Sequence, residues 1–564
     1  MINIFISSIF SCIILLSSGI IFEKFIFHKK TKNIDPWTAG LYGFIIIGFI
    51  SLSINFFFPI NKIFGTAYFF FSLIIFFIYF LKYKKKKELI LITLFVSITS
   101  FLLITSANIN RPDAGLYHLP YIRIIQENKI ILGLTNLHYR FGYTSIFQYI
   151  SAMYNNLFFK VEFLNLPLAS LFPFFFLFLF KKFTGALREN NEIKTISIFF
   201  IIIFSLYSFN RYSNYGNDIP ASIFFFVLIV IVFEIEKIKE INLNEFFYIL
   251  IISIFLLMLK TSMVVVLLLP LVIFLLNKSK KNILKNKNTV LSVIFISSWI
   301  IKNILISGCV IFPLKETCLK NLYYYNENIT ILASSEAEAW AKGYPDSKKK
   351  MSFLEYNSNF NWIKTWANNH LIKILEKLMP LLIFIVIFFS KKIFNKSFWN
   401  KYNLKKLITN HKILLIIIFT SICTIFWFLK FPVYRFGMSF ISTLIIFLSI
   451  TFFINKKDSM YSKRFYFNVI AIGFILFCGK NLNRIIKNHD LIYHNSPWPQ
   501  IYTMKINEKN NEKKFLKIKD DNLTFYYSGG EECMYSKSPC SNYYNKDLKQ
   551  KKINYYSSFF IKKN

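Results

Sequence analysis

The chain has 564 residues, of which 55% are hydrophobic and 17% charged, and its mean hydropathy is +0.45. This composition excludes a soluble globular domain. The formal net charge of +38 would suit a nucleic acid partner. However, the Lys and Arg residues concentrate in alternate loops between apolar segments, as the positive-inside rule describes. These basic loops therefore indicate a cytoplasmic face beside anionic lipid, and no nucleic acid partner is expected.

Apolar segments of a length suited to crossing ~30 Å of hydrocarbon recur along the whole chain. They predict an all-α polytopic membrane protein with about 14 transmembrane helices (12–14). The alternation of basic loops places the N-terminus and the long loops on the outer face. The segments lie near residues 2–22, 39–59, 64–81, 88–106, 162–180, 194–209, 219–235, 246–259, 263–277, 289–306, 374–390, 412–429, 437–455 and 465–479.

Two regions are expected: a multi-pass domain over 1–479, with outer loops 107–161 and 307–372, and an extracytoplasmic C-terminal region over 480–564. Within the first loop, the spacing of apolar residues predicts two short amphipathic helices that lie in the headgroup layer. One begins near Tyr121 and the other runs over 145–154. The C-terminal region is polar, and its pattern fits either a small α/β domain or a partly disordered tail.

Asp113 is the strongest candidate for a catalytic residue. It follows the apolar segment 88–106 at the membrane rim, and Tyr117 and His118 come one helical turn later. Polar groups at such a rim are uncommon and often functional. We expect Asp113 to act as a general base on an acceptor hydroxyl, with Tyr117 and His118 binding substrate. The structural alternative for Asp113 is a helix cap or an ion pair with Arg111.

A second group of polar residues follows in the same loop and in the next outer loop. His138, Arg140 and the two tyrosines Tyr139 and Tyr143 are expected to line a sugar or phosphate site, although a structured interfacial turn would use the same residues. Asp218 begins an apolar segment at the outer rim and is a second candidate catalytic carboxylate. Its structural alternative is to cap that helix.

Cations near the outer face complete the candidate site. Lys260 separates two apolar segments, Lys302 and Asn303 lie near the end of another, and Arg435 lies between aromatic residues. The planar guanidinium of Arg435 matches phosphate oxygens, so Arg435 is the best candidate for a phosphate ligand. Snorkelling to the interface is the alternative for the two lysines.

Four of the seven cysteines lie in regions expected on the outer face, where disulfides persist. We expect a bridge between Cys533 and Cys540, and we favour less strongly a bridge between Cys309 and Cys318. Neither pair has the spacing of a metal site, and no metal is expected to bind.

These residues resemble the C-type (GT-C) glycosyltransferase superfamily, whose members are polytopic enzymes with an acidic residue in the first large outer loop. The chain is more similar to a poorly characterised bacterial group of large multi-pass proteins. The resemblance extends over 113–540 in a fixed order. It rests on Asp113/Tyr117/His118, Asn136/Arg140/Gly142, Asp218/Pro220, Ser307/Gly308/Pro313, Pro432/Arg435/Phe436 and the tail pair Cys533/Cys540.

The resemblance implies transfer of a sugar from a polyprenyl-phosphate donor to an acceptor hydroxyl on a glycan, lipid or protein, with inversion. Asp113 would act as the base, and Arg435, helped by Lys302 or Lys260, would stabilise the leaving phosphate. The enzyme would lie in the bacterial cytoplasmic (inner) membrane with its active site on the extracytoplasmic face. Many superfamily members carry paired acids in the first loop, whereas this chain has only Asp113 there, so no metal cofactor is expected.

Three other functions remain open from the sequence. A transporter or flippase for lipid-linked glycans would place charges at mid-span and break helices in matching halves. An O-antigen ligase or polymerase would rely on outer-loop Arg and His residues and would tolerate the loss of Asp113. A noncatalytic scaffold is the third.

Overall fold

The computed structural model describes residues 2–27, 34–105, 113–159, 161–209, 215–345, 351–393, 411–453, 461–487, 516–520 and 523–561. Most of these residues are helical. Within the described ranges, nine helices are long and apolar enough to cross a membrane. The chain is therefore a helical protein of the multi-pass kind, as its composition indicates.

The helices follow one another with short connections. In chain order, the α-helices of the described residues are α1 (Ile2–Phe27), α2 (Pro36–Asn55), α3 (Lys62–Lys82), α4 (Lys86–Ile104), α5 (Leu119–Glu127), α6 (Ile146–Met153), α7 (Leu166–Arg188), α8 (Glu192–Ser208), α9 (Asp218–Glu234), α10 (Leu243–Leu259), α11 (Leu268–Leu276), α12 (Lys280–Lys285), α13 (Lys287–Ser307), α14 (Glu327–Ala341), α15 (Phe353–Asn357), α16 (Ile363–Trp366), α17 (Ile372–Ile393), α18 (His411–Lys430), α19 (Tyr434–Phe453) and α20 (Lys463–Lys487).

Each of the fourteen apolar segments expected from the sequence overlaps one of these helices. The nine that meet the length and hydropathy needed for a crossing are α1 to α4, α7, α13 and α18 to α20. Helices α8 to α11 are shorter, and α17 carries several charged residues in its first and last turns. Among the described residues, length and composition therefore establish nine helices that are able to span a membrane. The count of fourteen transmembrane helices stays a prediction.

Helices α1 and α2 cross at very close range because glycines line the contact. A Cβ atom on Gly19 would lie 1.6 Å from the carbonyl oxygen of Ala39, and one on Gly43 would lie 1.9 Å from that of Leu15. No other residue fits at either position. Small residues at helix crossings are the usual means of close packing within a membrane, where burial of apolar surface gives little drive.

Helix α7 is the centre of the bundle and is almost completely buried. Hydroxyl groups join it to its neighbours: Ser170 on α7 lies 2.8 Å from the hydroxyl of Ser11 on α1 and accepts a hydrogen bond of 3.2 Å from Ser100 on α4. Such interhelical hydrogen bonds hold apolar helices in register. In contrast, α3, α13 and α20 turn most of their side chains outward.

Two short helices form where amphipathic helices were expected. All eight residues of α6 are buried, and so are seven of the nine residues of α5. The C-terminal region and neighbouring helices cover their polar faces, so these faces contact protein groups, and the position of both helices in the headgroup layer stays a prediction. Gln126, for example, is buried against Tyr535.

The C-terminal region is built of β-strands, so the all-α description applies to the membrane-spanning part. The strands are β1 (Leu516–Asp520), β2 (Leu523–Tyr527), β3 (Cys540–Ser541), β4 (Leu548–Ile553) and β5 (Tyr556–Ile561). Strands β1 and β2 are antiparallel, β3 pairs parallel to β2, and β4 and β5 form a hairpin. Helix α20 continues to Lys487, beyond the expected boundary at 479.

The two ends of the bundle carry different polar groups. At one end, Glu234 of α9 binds Lys182 at 2.5 Å and Lys194 at 3.2 Å. The opposite end of α9 begins at Asp218, and there the loops after α4, α10, α13 and α18 converge around a cavity. This second end contains the candidate site.

Candidate functional site

A cavity of about 1120 Å³ opens at this end of the bundle. Its walls come from the segment after α4, the starts of α9 and α19, the turn after α10, helix α14 and the ends of α18 and α20. Among the described lining residues, seven are Lys or Arg and four are Asp or Glu. The charged members are Asp113, Arg140, Asp218, Lys260, Glu336, Glu338, Lys377, Lys430, Arg435, Lys480 and Arg484.

Asp113 lines the cavity from the start of a π-helical turn, 114–118, that leads into α5. Its side chain does not cap that turn. Instead, its carboxylate faces two guanidinium groups: Oδ1 lies 3.9 Å from Arg140 Nη1, and Oδ2 lies 3.5 Å from Arg435 Nη2. These distances exceed the ~2.8 Å of a strong charge-assisted hydrogen bond. The pairs are therefore loose. Arg111, the other expected partner, lies outside the described residues.

Asp218 shares Arg435 with Asp113, since its Oδ2 lies 3.6 Å from Arg435 Nε. Its other oxygen forms a close ion pair with Lys260. Three helix ends meet here, because Asp218 begins α9, Lys260 directly follows α10 and Arg435 lies in the first turn of α19. Asn217 fixes this junction by donating a hydrogen bond of 2.7 Å to the carbonyl oxygen of Leu259.

The ammonium group of Lys260 also lies over the ring of Phe436, with its nitrogen 3.2 Å from the ring centroid. Burial lowers the pKa of Lys260 to about 8, although the neighbouring Asp218 opposes this shift. An ammonium group with this pKa is still protonated at neutral pH. It supplies positive charge to the cavity and loses it in mildly alkaline solution.

Arg140 joins the Asp113 side of the cavity to helix α14. Its Nη2 lies 3.7 Å from Glu336 Oε1, and its Nε donates to the hydroxyl of Tyr139 at 3.2 Å. That hydroxyl donates in turn to Glu336 at 2.6 Å. The sequence predicted Arg140 and the tyrosines at 139 and 143 as lining residues, and all three line the cavity, but it missed Glu336.

Glu338, two residues along α14, was missed as well. It binds Lys342 at 2.5 Å and Lys430 at 3.3 Å, and so connects α14 to the end of α18. The available signal was the pair of glutamates beside Trp340 in an otherwise apolar stretch of the second outer loop. Among the residues that the structure describes, no group of three His, Cys, Asp or Glu side chains is arranged to hold a metal ion.

His118 and Tyr117 line the inner part of the cavity. Burial lowers the pKa of His118 to about 4, with nearby Asp113 opposing the shift. The amide nitrogen of Gln148 lies 3.1 Å from His118 Nδ1, which must therefore accept this hydrogen bond. His118 is thus a neutral imidazole with its proton on Nε2. Burial also raises the pKa of Tyr117, so its phenol remains a neutral donor.

Three residues predicted to bind substrate do not line the cavity. His138 accepts a hydrogen bond of 3.1 Å from the backbone N–H of Arg140 and so orders the turn that presents it. Lys302 is buried, donates to Thr144 at 2.5 Å and lies over the ring of Trp299. Asn303 donates to the carbonyl oxygen of Val310 at 3.0 Å. His138 and Asn303 thus order loop backbone, and Lys302 is held by side chains within the protein.

Both expected cysteine pairs are joined in the structure: Cys533 to Cys540, and also Cys309 to Cys318, which the sequence favoured less. The second bridge closes the loop that carries Ile311 and Leu314 into the cavity wall.

Comparison with known proteins places the chain in a family without assigning an activity. No curated protein and no solved structure matches it. The model of one family, described as a domain of unknown function, DUF8201, matches residues 1–442 and so includes all the charged residues of the cavity except Lys480 and Arg484. The chain belongs to the DUF8201 family.

Proposed function

We propose that this protein is a membrane glycosyltransferase of the GT-C type, which transfers a sugar from a polyprenyl-phosphate donor to an acceptor hydroxyl in the cavity around Asp113. The observation that carries the proposal is the convergence of Asp113, Asp218, Lys260 and Arg435, from four separate segments, on one cavity at an end of an apolar helix bundle. In this topology the chain crosses the membrane about 14 times, and the cavity faces the extracytoplasmic side of a bacterial inner membrane.

The cavity suits a donor that is part lipid and part phosphosugar. Its lining combines apolar side chains of α18 and α19, such as Phe426 and Met438, with an excess of cations. A polyprenyl chain would lie along the bilayer, and its phosphate would bind Arg435 and Lys260. The phosphate would then compete with Asp113 for Arg435. Because the contact between Asp113 and Arg435 is long, this exchange costs little free energy.

The reaction follows from that exchange. Asp113, released from Arg435, accepts the proton of the acceptor hydroxyl. The hydroxyl oxygen attacks the anomeric carbon, the bond from that carbon to the phosphate oxygen breaks, and polyprenyl phosphate leaves with the electron pair. Configuration inverts because attack and departure occur on opposite sides. Arg435 and Lys260 stabilise the charge on the leaving phosphate.

Asp113 suits the role of base better than Asp218 does. Its carboxylate is more exposed, at 39% against 22%, and it has no partner as close as Lys260 is to Asp218. Asp218 holds Lys260 and Arg435 in position and keeps Lys260 protonated. This refines the expectation from the sequence, which treated both carboxylates as catalytic.

The decisive experiment measures sugar transfer in membranes supplied with polyprenyl phosphate that carries a tritiated hexose. We expect Asp113→Asn to lower the transfer rate by about 10²–10⁴-fold, the usual contribution of a general base. Asp35→Asn is the matched control, because it makes the same chemical change far from the cavity. Asp35 precedes α2 and pairs with Lys181 at the end of the bundle opposite the cavity. It should leave transfer unchanged, and thermal stability should be similar in all three proteins.

Two outcomes would overturn the proposal. If Asp113→Asn transferred sugar as fast as the wild type, Asp113 would not be the base. A ligase or polymerase that uses Arg140 would then be favoured. Absence of transfer by the wild-type protein, when the donor is present and the protein is folded, would favour a transporter or scaffold. Flipping of the labelled lipid between leaflets would identify the transporter.

A further inference from the structure

The C-terminal region contacts the cavity segment two residues after Asp113. The backbone N–H of Met534 donates to the carbonyl oxygen of Gly115 at 2.9 Å. A Cβ atom on Gly115 would lie 2.1 Å from the carboxylate of Glu532 and 2.3 Å from the sulfur of Met534. The added atom would also lie 2.8 Å from the Cβ of Glu532, so a larger residue at position 115 would displace Glu532 and Met534.

A second set of contacts runs along α5, which continues the same segment. The guanidinium of Arg123 lies over the ring of Tyr535, 4.9 Å from its centroid, and donates to the Tyr535 hydroxyl at 3.3 Å. That hydroxyl donates to the side chain of Gln126. One turn on, Ser538 donates to Glu127 through its hydroxyl at 2.7 Å and its N–H at 3.1 Å.

The disulfide between Cys533 and Cys540 closes the loop that makes all of these contacts. Both cysteines are buried. The hydroxyl of Ser541, the next residue, donates to the carbonyl oxygen of Leu137 at 3.2 Å, three residues before Arg140. The closed loop thus contacts the segments that carry both Asp113 and its partner Arg140.

We propose that residues 532–541, closed by the Cys533–Cys540 bond, are a positioning element for Asp113, and that the site is incomplete without the C-terminal region. The catalytic part of this inference rests on the proposed glycosyl transfer. The element lies beyond residue 442, where the family match ends. None of its residues touches substrate; it acts through Gly115 and α5.

The physical reason is the conformational entropy of a short segment. The turn at 114–118 has a single helix, α5, after it, and its backbone must be held within a fraction of an ångström for Asp113 to reach an acceptor hydroxyl. A loop closed by a disulfide has fewer conformations than an open one. It therefore presents Met534 and Tyr535 to this segment in one arrangement.

Amide hydrogen exchange tests the structural part of the proposal without requiring turnover. In the full-length protein, Cys533→Ser/Cys540→Ser should speed exchange over 114–127 at least tenfold. The matched control is Cys309→Ser/Cys318→Ser, which opens the other disulfide. It should speed exchange near 311–314 and leave 114–127 unchanged. Equal protection of 114–127 in the first variant and the wild type would overturn the proposal.

Substitutions that keep the disulfide provide a second test, in case the cysteine variant folds poorly. Tyr535→Ala removes both the ring over Arg123 and the hydroxyl bound to Gln126, whereas Tyr535→Phe keeps the ring. We expect Tyr535→Ala to increase exchange over 114–127 and Tyr535→Phe to restore most of the protection. Gly115→Ala should act like Tyr535→Ala, and Gly185→Ala, where nothing lies within 4 Å of an added Cβ, should have no effect.

Kinetics then separate positioning from general stability. With the tritiated donor, Tyr535→Ala should lower kcat about tenfold and change the donor KM less than twofold, because the phosphate ligands are untouched. A rise in exchange with unchanged kcat would overturn the catalytic part. If the wild type transfers no sugar, the proposed function fails, and the exchange measurements still decide whether the loop holds the Asp113 segment.

Discussion

Asp113 and Asp218 lie at the same end of the bundle and share Arg435, but their surroundings differ. Asp113 is at the start of a short turn held by contacts from distant parts of the chain, and its nearest cations lie at 3.5 and 3.9 Å. Asp218 begins a long buried helix and is in close contact with Lys260. A loosely paired carboxylate can exchange its partner for substrate. A tightly paired one holds its partner in place.

This comparison assigns different effects to neighbouring charges. Substitutions on the Asp113 side should change transfer and leave the fold intact. Those on the Asp218 side should change stability together with transfer, because they leave a buried charge without a partner. Substitutions at four positions test this difference.

The largest effect is expected at Arg435, which both aspartates share. Arg435→Ala should lower kcat/KM for transfer by about 10²–10³-fold, the usual cost of losing one group that stabilises developing negative charge. Arg435→Lys should recover only part of the loss, because one ammonium group cannot reach both carboxylates as the guanidinium does. Arg188→Lys, in the last turn of α7, is the control. Full activity of Arg435→Lys would contradict the bridging role.

Next in size is the effect at Asp218, which distinguishes its role from that of Asp113. Asp218→Asn should destabilise the protein by about 1–3 kcal/mol, since Lys260 then lacks a counter-charge, and should lower transfer about tenfold. Adding Lys260→Met should restore the melting temperature without restoring transfer. Thermal unfolding in detergent measures the stability, and the transfer assay measures the transfer rate. Equal stability of Asp218→Asn and the wild type would show that the pair is not structural.

The pH dependence of donor binding should follow Lys260. Its lowered pKa, about 8, means that the ammonium is charged below that pH and neutral above it. Affinity for the phosphorylated donor should therefore be full near pH 7 and fall severalfold as pH rises from 7 to 9. Lys260→Arg keeps its charge and should remove this fall. An identical fall in Lys260→Arg would show that another group titrates.

The smallest effect is expected at His118. A neutral imidazole that accepts a hydrogen bond from Gln148 orders the inner wall and moves no proton near neutral pH. His118→Gln, which keeps an acceptor at a similar position, should change transfer less than about threefold. The pH profile between 5 and 7 should stay the same in both proteins. If His118→Gln lost a pH-dependent rise or fall in activity that the wild type shows, His118 would act as a general acid or base.

The sequence predicted the helices better than it predicted the polar site. Every expected apolar segment overlaps a helix, because long apolar runs have few other structures open to them in a bilayer. Asp113, Asp218, Lys260 and Arg435 were recognised as charges at rims, where composition alone makes them unusual. Their contacts with one another could not be read from sequence, because they lie on segments more than 40 residues apart.

Glu336 and Glu338 show why part of the site was missed. They lie two residues apart, which does not place them on one face of a helix, and a solvated loop is the ordinary setting for glutamate. Lys302, in contrast, was predicted to bind substrate and does not line the cavity. A lysine near the end of an apolar helix was expected to reach a phosphate, but Thr144 and Trp299 enclose it within the protein.

By itself, the sequence determined the apolar helices, the rims where charges gather and the cysteines that could pair, because these follow from local composition and the energetics of burying polar groups in lipid. Only the tertiary structure decided which charges face one another, and it placed residues 532–541 against the segment that carries Asp113. Such pairing depends on chain segments separated by hundreds of residues. It is fixed by packing, including the glycines at positions 19, 43 and 115, where a single methyl group would clash with a neighbouring segment.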